Sequence, residues 1–378
     1  MTIDAKAAAA EAVRHRQSPL TQLSTTIHSH PETAWQEYRA CEWVGDALTT
    51  IGFDVTPKYL GLDTSFRATF GSGRFRVGLM AEYDALPGLG HACGHNIIAA
   101  ISVGAALALS TVADDLGLTI EVYGTPAEEG GGGKIEMIDR GAFRDLHLAM
   151  MAHPGPVDVA EAKPLAVAHS HITYEGKSAH AAAYPEQGVN ANDAFLIAQV
   201  ALGLLRQQLP TTARVHGIMT HAGDAPNAVP QRTEGRWYLR AETLAELGEL
   251  TPRVERCFEA GALASGATLT ISPESKPYAE FRNDAPALTA YRENARTLGR
   301  SFDSGGQSGQ MNRASTDMGN VSQIVPAIHP YIGIGSLPAT NHQPEFAAFC
   351  VGPDAEAALV DGAVALAWTV IDQAVAHK

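Results

Sequence analysis

The sequence predicts an α/β fold built on a doubly wound, mainly parallel sheet. Three apolar runs of strand length, residues 75–80, 118–123 and 146–152, alternate with segments of helical pattern. Strands that alternate with helices in this way form parallel sheets with helices packed on both faces. The chain of 378 residues is also too long for one ordinary core, so we expect a second domain.

This second domain is predicted as an insertion into the first. From residue 166 the pattern becomes strand, helix, strand, strand, helix, strand, which is the order of a ferredoxin-like α+β domain. The α/β pattern returns near residue 285. We therefore predict a discontinuous main domain, 1–165 with 280–378, and an inserted lid domain, 166–279.

Local patterns predict the individual elements. Helical spacing of apolar residues that includes Trp35 predicts a helix that ends at Gly52. The apolar runs 66–70 and 75–80 are separated by a Gly-Ser-Gly segment, which predicts neighbouring strands joined by a tight turn. Small and apolar residues at 97–109 predict a buried helix.

The composition argues against several classes of function. A formal net charge of −14 disfavours nucleic acid and anionic membranes as partners, because binding either normally needs a basic patch. We find no apolar run of bilayer-spanning length and no secretory signal pattern. The four cysteines are far apart and form no C-x-x-C pair, so a reduced, cytoplasmic setting is expected.

Chemically reactive residues follow the three main predicted strands. Cys93 and His95 come after the first, Glu128 and Glu129 after the second, and His153 directly after the third. Enzymes with open α/β sheets place their chemistry at the carboxyl ends of the strands. The sequence therefore predicts that these side chains meet at one edge of the sheet.

This set of residues favours a metal centre. Zinc in hydrolases takes imidazole, thiolate and carboxylate ligands and keeps one position open for water. A further carboxylate beside that position can serve as general base. Glu128 and Glu129 can divide the roles of base and ligand if they lie on a loop, where successive side chains diverge.

Three other chemistries fit less well. Residues 130–134 (GGGGK) lack the first glycine and the final Ser or Thr of a phosphate-binding loop. Residues 306–310 (GQSGQ) lack the last glycine of a nucleophile elbow. Cys93 and His95 could form a thiol nucleophile and its base, but side chains two residues apart on a short loop rarely face each other. That hypothesis also gives Glu128 and Glu129 no role.

Six motifs together resemble metallopeptidase family M20, in its aminoacylase/amidohydrolase branch. The branch includes N-acyl-amino-acid hydrolases and the p-aminobenzoyl-glutamate hydrolase type. The resemblance covers nearly the whole chain, and its motifs match in order and spacing. They are residues 82–87 (EYDALP), 91–96 (HACGHN), 126–133 (PAEEGGGG), 153–155 (HPG), 176–181 (GKSAHA) and 341–346 (NHQPEF).

The resemblance implies a site with two divalent ions, zinc first, with manganese, cobalt or nickel as alternatives. Cys93 would bridge the ions in a position that other members fill with Asp, and Glu128 would be the general base. Asp84 would bind no ion itself and would instead orient one of the residues that do. The remaining implied ligands are His95, Glu129, His153 and His342.

In the lid domain the resemblance implies further roles. His180 matches a histidine that stabilises the oxyanion in family dimers, and Asn227 matches an asparagine that contacts substrate. Arg240 is a candidate for holding a substrate carboxylate, although an arginine at a strand end is as often structural.

The implied activity is metal-dependent hydrolysis of the amide bond of an N-acyl amino acid, an aminobenzoyl-glutamate-like conjugate or a dipeptide. A homodimer and a small-molecule substrate are the implied partners. The alternatives are a dipeptidase or carboxypeptidase of the same fold, a non-catalytic binding protein, and a thiol enzyme that depends on Cys93.

Overall fold

The computed structural model describes residues 2–302 and 313–377. The chain forms two compact units, Met1–Pro164 with Phe281–Lys378, and Leu165–Glu280. These boundaries differ by one residue from those predicted for the main and inserted domains. These two compact units are the first unit and the second unit, respectively.

The first unit contains a six-stranded, mainly parallel sheet in the order β1-β2-β4-β3-β5-β11. Strand β3 pairs in parallel with β4 and β5, and β5 pairs in parallel with β11, whereas β1 and β2 join the edge in antiparallel. The mixed α/β architecture with a mainly parallel sheet is therefore confirmed. The strands are β1 (Asp54–Pro57), β2 (Phe66–Phe70), β3 (Phe75–Ala81), β4 (Leu118–Gly124), β5 (Leu148–Met150) and β11 (Ala327–Ile328).

The prediction that residues 66–70 and 75–80 form neighbouring strands is wrong. Strand β4 lies between β2 and β3, because the segment that connects them bonds to β4 and closes no hairpin. The N–H of Gly73 donates to the carbonyl of Leu118, and the N–H of Phe75 donates to that of Gly117. All seven residues of β4 are buried, as expected of a strand inside a sheet.

The predicted strand 146–152 is shorter than expected and ends before His153. Strand β5 stops at Met150, and a second strand, β6 (His153–Gly155), pairs in parallel with β12 (Tyr331–Gly333) in a separate two-stranded sheet. His153 is thus held by backbone pairing, and it does not lie on a free loop.

Helices surround the sheet of the first unit. Helix α4 (His95–Ser110) is buried along nearly its whole length, which confirms the prediction for residues 97–109. The predicted helix beginning near Trp35 starts only at Tyr38, because Trp35 adopts a positive φ of 65°. The other helices of this unit are α1 (Thr2–His15), α2 (Gln17–Ser29), α3 (Tyr38–Thr50), α5 (Ala113–Leu116), α6 (Gly133–Asp139), α9 (Ala285–Thr297), α10 (Met318–Ser322), α11 (Pro344–Phe349) and α12 (Pro353–Ala376).

Helix α12 corrects one expectation about membranes. Among the described residues it is the one helix long and apolar enough to cross a bilayer, with a mean hydropathy of 1.4 over its most apolar window. That window is 67% buried within the protein, and residues such as Leu359, Leu366 and Val370 belong to the hydrophobic core. The apolar character of α12 is therefore explained by core packing.

The second unit has a four-stranded antiparallel sheet in the order β10-β7-β9-β8. Its two helices pack on each other and bury an aromatic core of Tyr174, Phe195, Trp237 and Phe258. Both the chain order and the strand order are those of a ferredoxin-like unit. The elements are β7 (Ala166–Glu175), α7 (Ala191–Arg206), β8 (Arg214–His221), β9 (Arg232–Ala241), α8 (Leu244–Ser265) and β10 (Thr268–Pro273).

Candidate metal centre

A sharp turn brings Cys93 and His95 to the start of helix α4. Gly94 lies before the first residue of the helix with a left-handed φ of 82°, a conformation that favours glycine. A Cβ atom at this position would also overlap the ring of Pro154. Cys93 and His95 are both buried, so the turn fixes a thiol and an imidazole inside the protein.

Asp84 orients two residues of the site at once. Its Oδ1 lies 2.9 Å from Nδ1 of His95, and its Oδ2 accepts the backbone N–H of Glu129 at 2.9 Å. Although burial raises the pKa of Asp84, the charge and hydrogen bond of His95 lower it overall. The carboxylate is consequently held in its charged form, with Nε2 of His95 facing away from it.

The loop that carries Glu128 and Glu129 is fixed by a further buried carboxylate. Ala127 has a positive φ of 56°, which is unusual for a residue with a side chain. Its N–H donates to Oε1 of Glu37 at 2.8 Å. Gly133 then begins α6, and any side chain there would overlap the carbonyl of Pro126.

His153 and His342 approach the same region from other segments. Nε2 of His153 lies 3.5 Å from Sγ of Cys93, and its Nδ1 lies 2.8 Å from the carbonyl oxygen of Pro154. Nε2 of His342 lies 3.4 Å from Oε1 of Glu129. The side chain of His342 is 53% exposed, so this residue lies toward solvent, whereas Cys93 and His153 are buried.

The structure therefore brings together all five predicted metal ligands and Glu128. Their candidate donor atoms form three overlapping groups, within each of which the atoms lie no more than 4.8 Å apart. Cys93 belongs to two of the groups, and so do His95 and Glu129. The groups are Cys93–His95–His153, Cys93–Glu129–His342 and His95–Glu128–Glu129.

Two observations indicate that this centre fits divalent cations. Nε2 of His95 is buried and has no hydrogen-bond partner within residues 2–302 and 313–377; a polar atom left in this state is costly. The surrounding negative charge also attracts protons. The charge of Cys93 and the hydrogen bonds to Cys93 and Glu129 raise the pKa of His342 to about 11. Thiolate, imidazole and carboxylate together are the donors that zinc takes.

Glu128 differs from Glu129 in its electrostatic surroundings. Burial and the charges of Glu82, Glu129 and Asp317 raise the pKa of Glu128 well above its ordinary value. Burial also raises the pKa of Glu129, but the hydrogen bond and charge of His342 lower it overall. One carboxyl is thus poised to take a proton and its neighbour to remain charged, which is the division of roles expected of a base and a ligand.

Sequence reasoning missed three buried charged residues beside the centre. Lys134 donates through Nζ to Oε1 of Glu82 at 2.5 Å and to Oδ1 of Asp317 at 2.6 Å. Glu37 supports the loop before Glu128. Lys134 was visible only as the last residue of a glycine-rich run, and Asp317 and Glu37 carry no motif that marks them.

The structure bears on two of the other chemistries. The ammonium group of Lys134 is buried against carboxylates, so it cannot contact a phosphate as the lysine of a phosphate-binding loop does. The nucleophile-elbow motif at 306–310 lies outside the described residues. Sγ of Cys93 lies 3.5 Å from Nε2 of His153, and it also shares donor groups with nitrogens of His95 and His342, so His95 is not singled out as a base for the thiol.

The predicted residues of the lid lie in the second unit. His180 and Asn227 are brought together by backbone pairing: His180 bridges to Ala228, and the N–H of Ala181 donates to the carbonyl of Asn227 at 3.0 Å. Both side chains are exposed. Arg240 lies elsewhere in this unit, on β9, where its Nε donates to Nε2 of His216 at 3.4 Å.

Comparisons with known proteins agree with this geometry. The model of peptidase family M20/M25/M40 matches residues 78–369. The chain is 40% identical to the Xaa-Arg dipeptidase of Mus musculus, over 97% of this chain and 88% of that protein. It is 32% identical to a p-aminobenzoyl-glutamate hydrolase polypeptide of Escherichia coli (strain K12), over 68% of this chain and 58% of that polypeptide.

Solved structures share the fold. The aminobenzoyl-glutamate utilization protein from Klebsiella pneumoniae superposes with a TM-score of 0.74 at 20% identity, covering 95% of this chain and 97% of that one. The YXEP protein of Bacillus subtilis, described as a dinuclear metal-binding peptidase of the M20 family, gives a TM-score of 0.70 at 20% identity, covering 95% and 99%. The chain therefore belongs to peptidase family M20/M25/M40 and is a metal-dependent hydrolase of amide or dipeptide bonds.

Proposed function

We propose that this enzyme is a dipeptidase whose preferred substrates carry a basic residue at the C-terminus. The observation that supports this substrate class is the 40% identity to an Xaa-Arg dipeptidase along 97% of the chain. Hydrolysis of p-aminobenzoyl-glutamate is the second candidate, supported by 32% identity over 68% of the chain.

Two divalent ions are the proposed cofactors, with zinc preferred because thiolate and imidazole are good zinc ligands. The ligands would be Cys93, His95, Glu129, His153 and His342. Cys93 belongs to two separate donor groups, which supports the proposal that its thiolate is shared between the ions. When bound, such ions polarise a substrate carbonyl and lower the pKa of water.

The protein's own residues would carry the proton transfers. Glu128, buried and with a raised pKa, would take a proton from the attacking water and pass it to the leaving nitrogen. Asp84 would hold the ring of His95 through the bond at Nδ1, so that Nε2 stays available as a ligand. Ala127, fixed by Glu37, would keep Glu128 in place.

Roles in the second unit are proposed from the family resemblance. His180 would stabilise the oxyanion, Asn227 would contact the substrate and Arg240 would hold its carboxylate. A lid function and homodimerisation are proposed for the same unit. An exposed apolar stripe on α7, formed by Leu196, Val200 and Leu204, supports a protein contact there. Analytical ultracentrifugation should find a dimer that Leu204→Glu weakens.

The substrate proposal is tested by hydrolysis of a defined panel with metal-reconstituted protein. The panel contains Xaa-Arg and Xaa-Lys dipeptides, the matched Xaa-Glu dipeptides, p-aminobenzoyl-glutamate and N-acetyl amino acids. We expect kcat/KM for the basic dipeptides to exceed that for the acidic ones by at least tenfold. A preference for p-aminobenzoyl-glutamate would reject the first candidate and support the second.

A further inference from the structure

Lys134 forms a fully buried ionic network beside the metal centre. Its side chain and those of Glu82 and Asp317 are 0% exposed. Besides the two bonds from Nζ, the backbone N–H of Lys134 donates to Oδ2 of Asp317 at 2.9 Å. Burying an ammonium group is costly unless it is paired and hydrogen-bonded, and here all of the contacts named are made to carboxylates.

This network includes the general base proposed above. Glu82, Glu128 and Asp317 each offer one oxygen within 4.8 Å of the others, a fourth grouping of the kind that could hold a metal ion. Buried carboxylates this close repel one another strongly and call for a cation. Lys134 supplies that cation, since its Nζ lies at hydrogen-bonding distance from two of the three.

Glu82 links the network to the metal centre. Its Oε1 accepts from Lys134, while its Oε2 has no hydrogen-bond partner in the described part of the chain. Oε2 lies 3.6 Å from Nε2 of His95. The bond to Lys134 thus fixes which oxygen of Glu82 faces the ligand histidine.

We propose that Lys134 is a positioning residue of this enzyme. Its ammonium group occupies the place that a metal ion would take among Glu82, Glu128 and Asp317. It also turns the free oxygen of Glu82 toward His95. This inference rests on the proposed function, because it assigns a role at the same centre. It predicts that the chain binds no metal ion in this fourth group while Lys134 is present.

The first test counts ions and measures thermal stability. Wild type, Lys134→Met and Lys134→Arg are stripped of metal and dialysed against Mn²⁺, which accepts carboxylate ligands. Lys134→Met should bind one more Mn²⁺ per chain than wild type, and Mn²⁺ should raise its Tm by more degrees, because an added ion stabilises the state that binds it. Lys134→Arg should match wild type. The control is Lys58→Met, which removes an exposed lysine paired with Asp63.

The second test separates positioning from general destabilisation. With the best substrate of the panel, Lys134→Met should lower kcat at least tenfold at an unchanged KM, and Lys134→Arg should recover part of the loss. A folded Lys134→Met with the wild-type ion count, or with wild-type kcat, would overturn the proposal. A Lys134→Arg variant whose kcat is no higher than that of Lys134→Met would overturn the proposal as well.

A charge-balanced variant keeps the test decisive if Lys134→Met does not fold. Lys134→Met/Asp317→Asn removes one positive and one negative charge, so it should fold and bind the wild-type number of ions. It should still turn over at least tenfold more slowly, because Glu82 has lost its partner; wild-type kcat would overturn the proposal. If wild type cleaves nothing in the panel, the proposed function fails, while ion counts and Tm still test the role of Lys134.

Discussion

Nδ1 of His95 and Oδ1 of Asp84 lie 2.9 Å apart in a buried hydrogen bond. Because the other oxygen of Asp84 accepts the N–H of Glu129, one carboxylate orients both an imidazole and the loop that carries two glutamates. The free Nε2 of His95 then lies within 4.0 Å of oxygens of Glu82, Glu128 and Glu129. This relationship organises the metal centre, and the first prediction follows from it.

Asp84→Asn should weaken metal binding without unfolding the protein. The asparagine keeps the size of the side chain but loses the charge that holds His95 in its orientation. Loss of such an outer partner costs about 10–100-fold in metal affinity. Competition with a zinc chelator measures this affinity. The matched control is Asp63→Asn, at an exposed site paired with Lys58, which should bind zinc as wild type does.

Cys93→Ser should weaken metal binding further, and Cys93→Asp should restore part of the loss. Serine removes the thiolate, whereas aspartate returns an anionic ligand. We expect the serine variant to lose more than the roughly 10–100-fold that an outer partner costs, as measured by isothermal titration. Cys257→Ser in the second unit is the control. A serine variant that binds both ions like wild type would disprove the shared thiolate.

Glu128→Gln should retain metal and lose turnover. The amide cannot take a proton from water, and general acid–base catalysis typically contributes about 10²–10⁴-fold, so kcat should fall at least about 100-fold. Metal content measured on the same sample should equal that of wild type. Glu129→Gln provides the contrast, since it should lose metal as well. Near-normal activity of Glu128→Gln would remove Glu128 from the mechanism.

Glu121 should make the first unit sensitive to acid. Its side chain is 1% exposed, on β4, and it accepts from Arg67 on β2 and Arg76 on β3. Burial raises its pKa, but hydrogen bonds from Arg67 and Tyr123 and the two guanidinium charges lower the pKa below its ordinary value of 4.5. Since the folded form has the lower pKa, this stabilisation is complete above pH 4.5 and is lost as the pH falls through the folded pKa.

The corresponding variant is Glu121→Gln. At pH 7 it should reduce the free energy of unfolding by about 1.5–3 kcal/mol, the usual worth of hydrogen bonds to a charged group. In urea titrations the difference from wild type should shrink at pH values below 4.5. Glu42→Gln, at an exposed position on α3, should show no such trend. A difference that is constant with pH would contradict the assignment.

Residues close together in the sequence were the most predictable part of the site. Cys93 and His95 lie two residues apart and Glu128 and Glu129 are adjacent, so local motifs and strand ends were enough to bring them together. Lys134 and Asp317 are 183 positions apart, and their pairing depends on how α6 and α10 pack. No periodicity in the sequence records such a contact.

The order of the strands and the unusual backbone conformations could not be predicted from the sequence either. The strands at 66–70 and 75–80 were located correctly, yet their separation by β4 depends on long-range pairing. Trp35 fits a helical pattern, but its positive φ places it outside α3. Hydrophobic spacing predicts which face of an element is buried, and it carries little information about which neighbour covers that face.

The central claim is that hydrolysis depends on metal ions held by the five proposed ligands, Cys93, His95, Glu129, His153 and His342. The most direct measurement is a titration of chelator-stripped protein with Zn²⁺ or Mn²⁺, following bound metal and dipeptide hydrolysis in one sample. We predict no turnover in stripped protein and full recovery as two ions bind per chain. Turnover that survives complete metal removal, or that metal cannot restore to a folded chain, would contradict the claim.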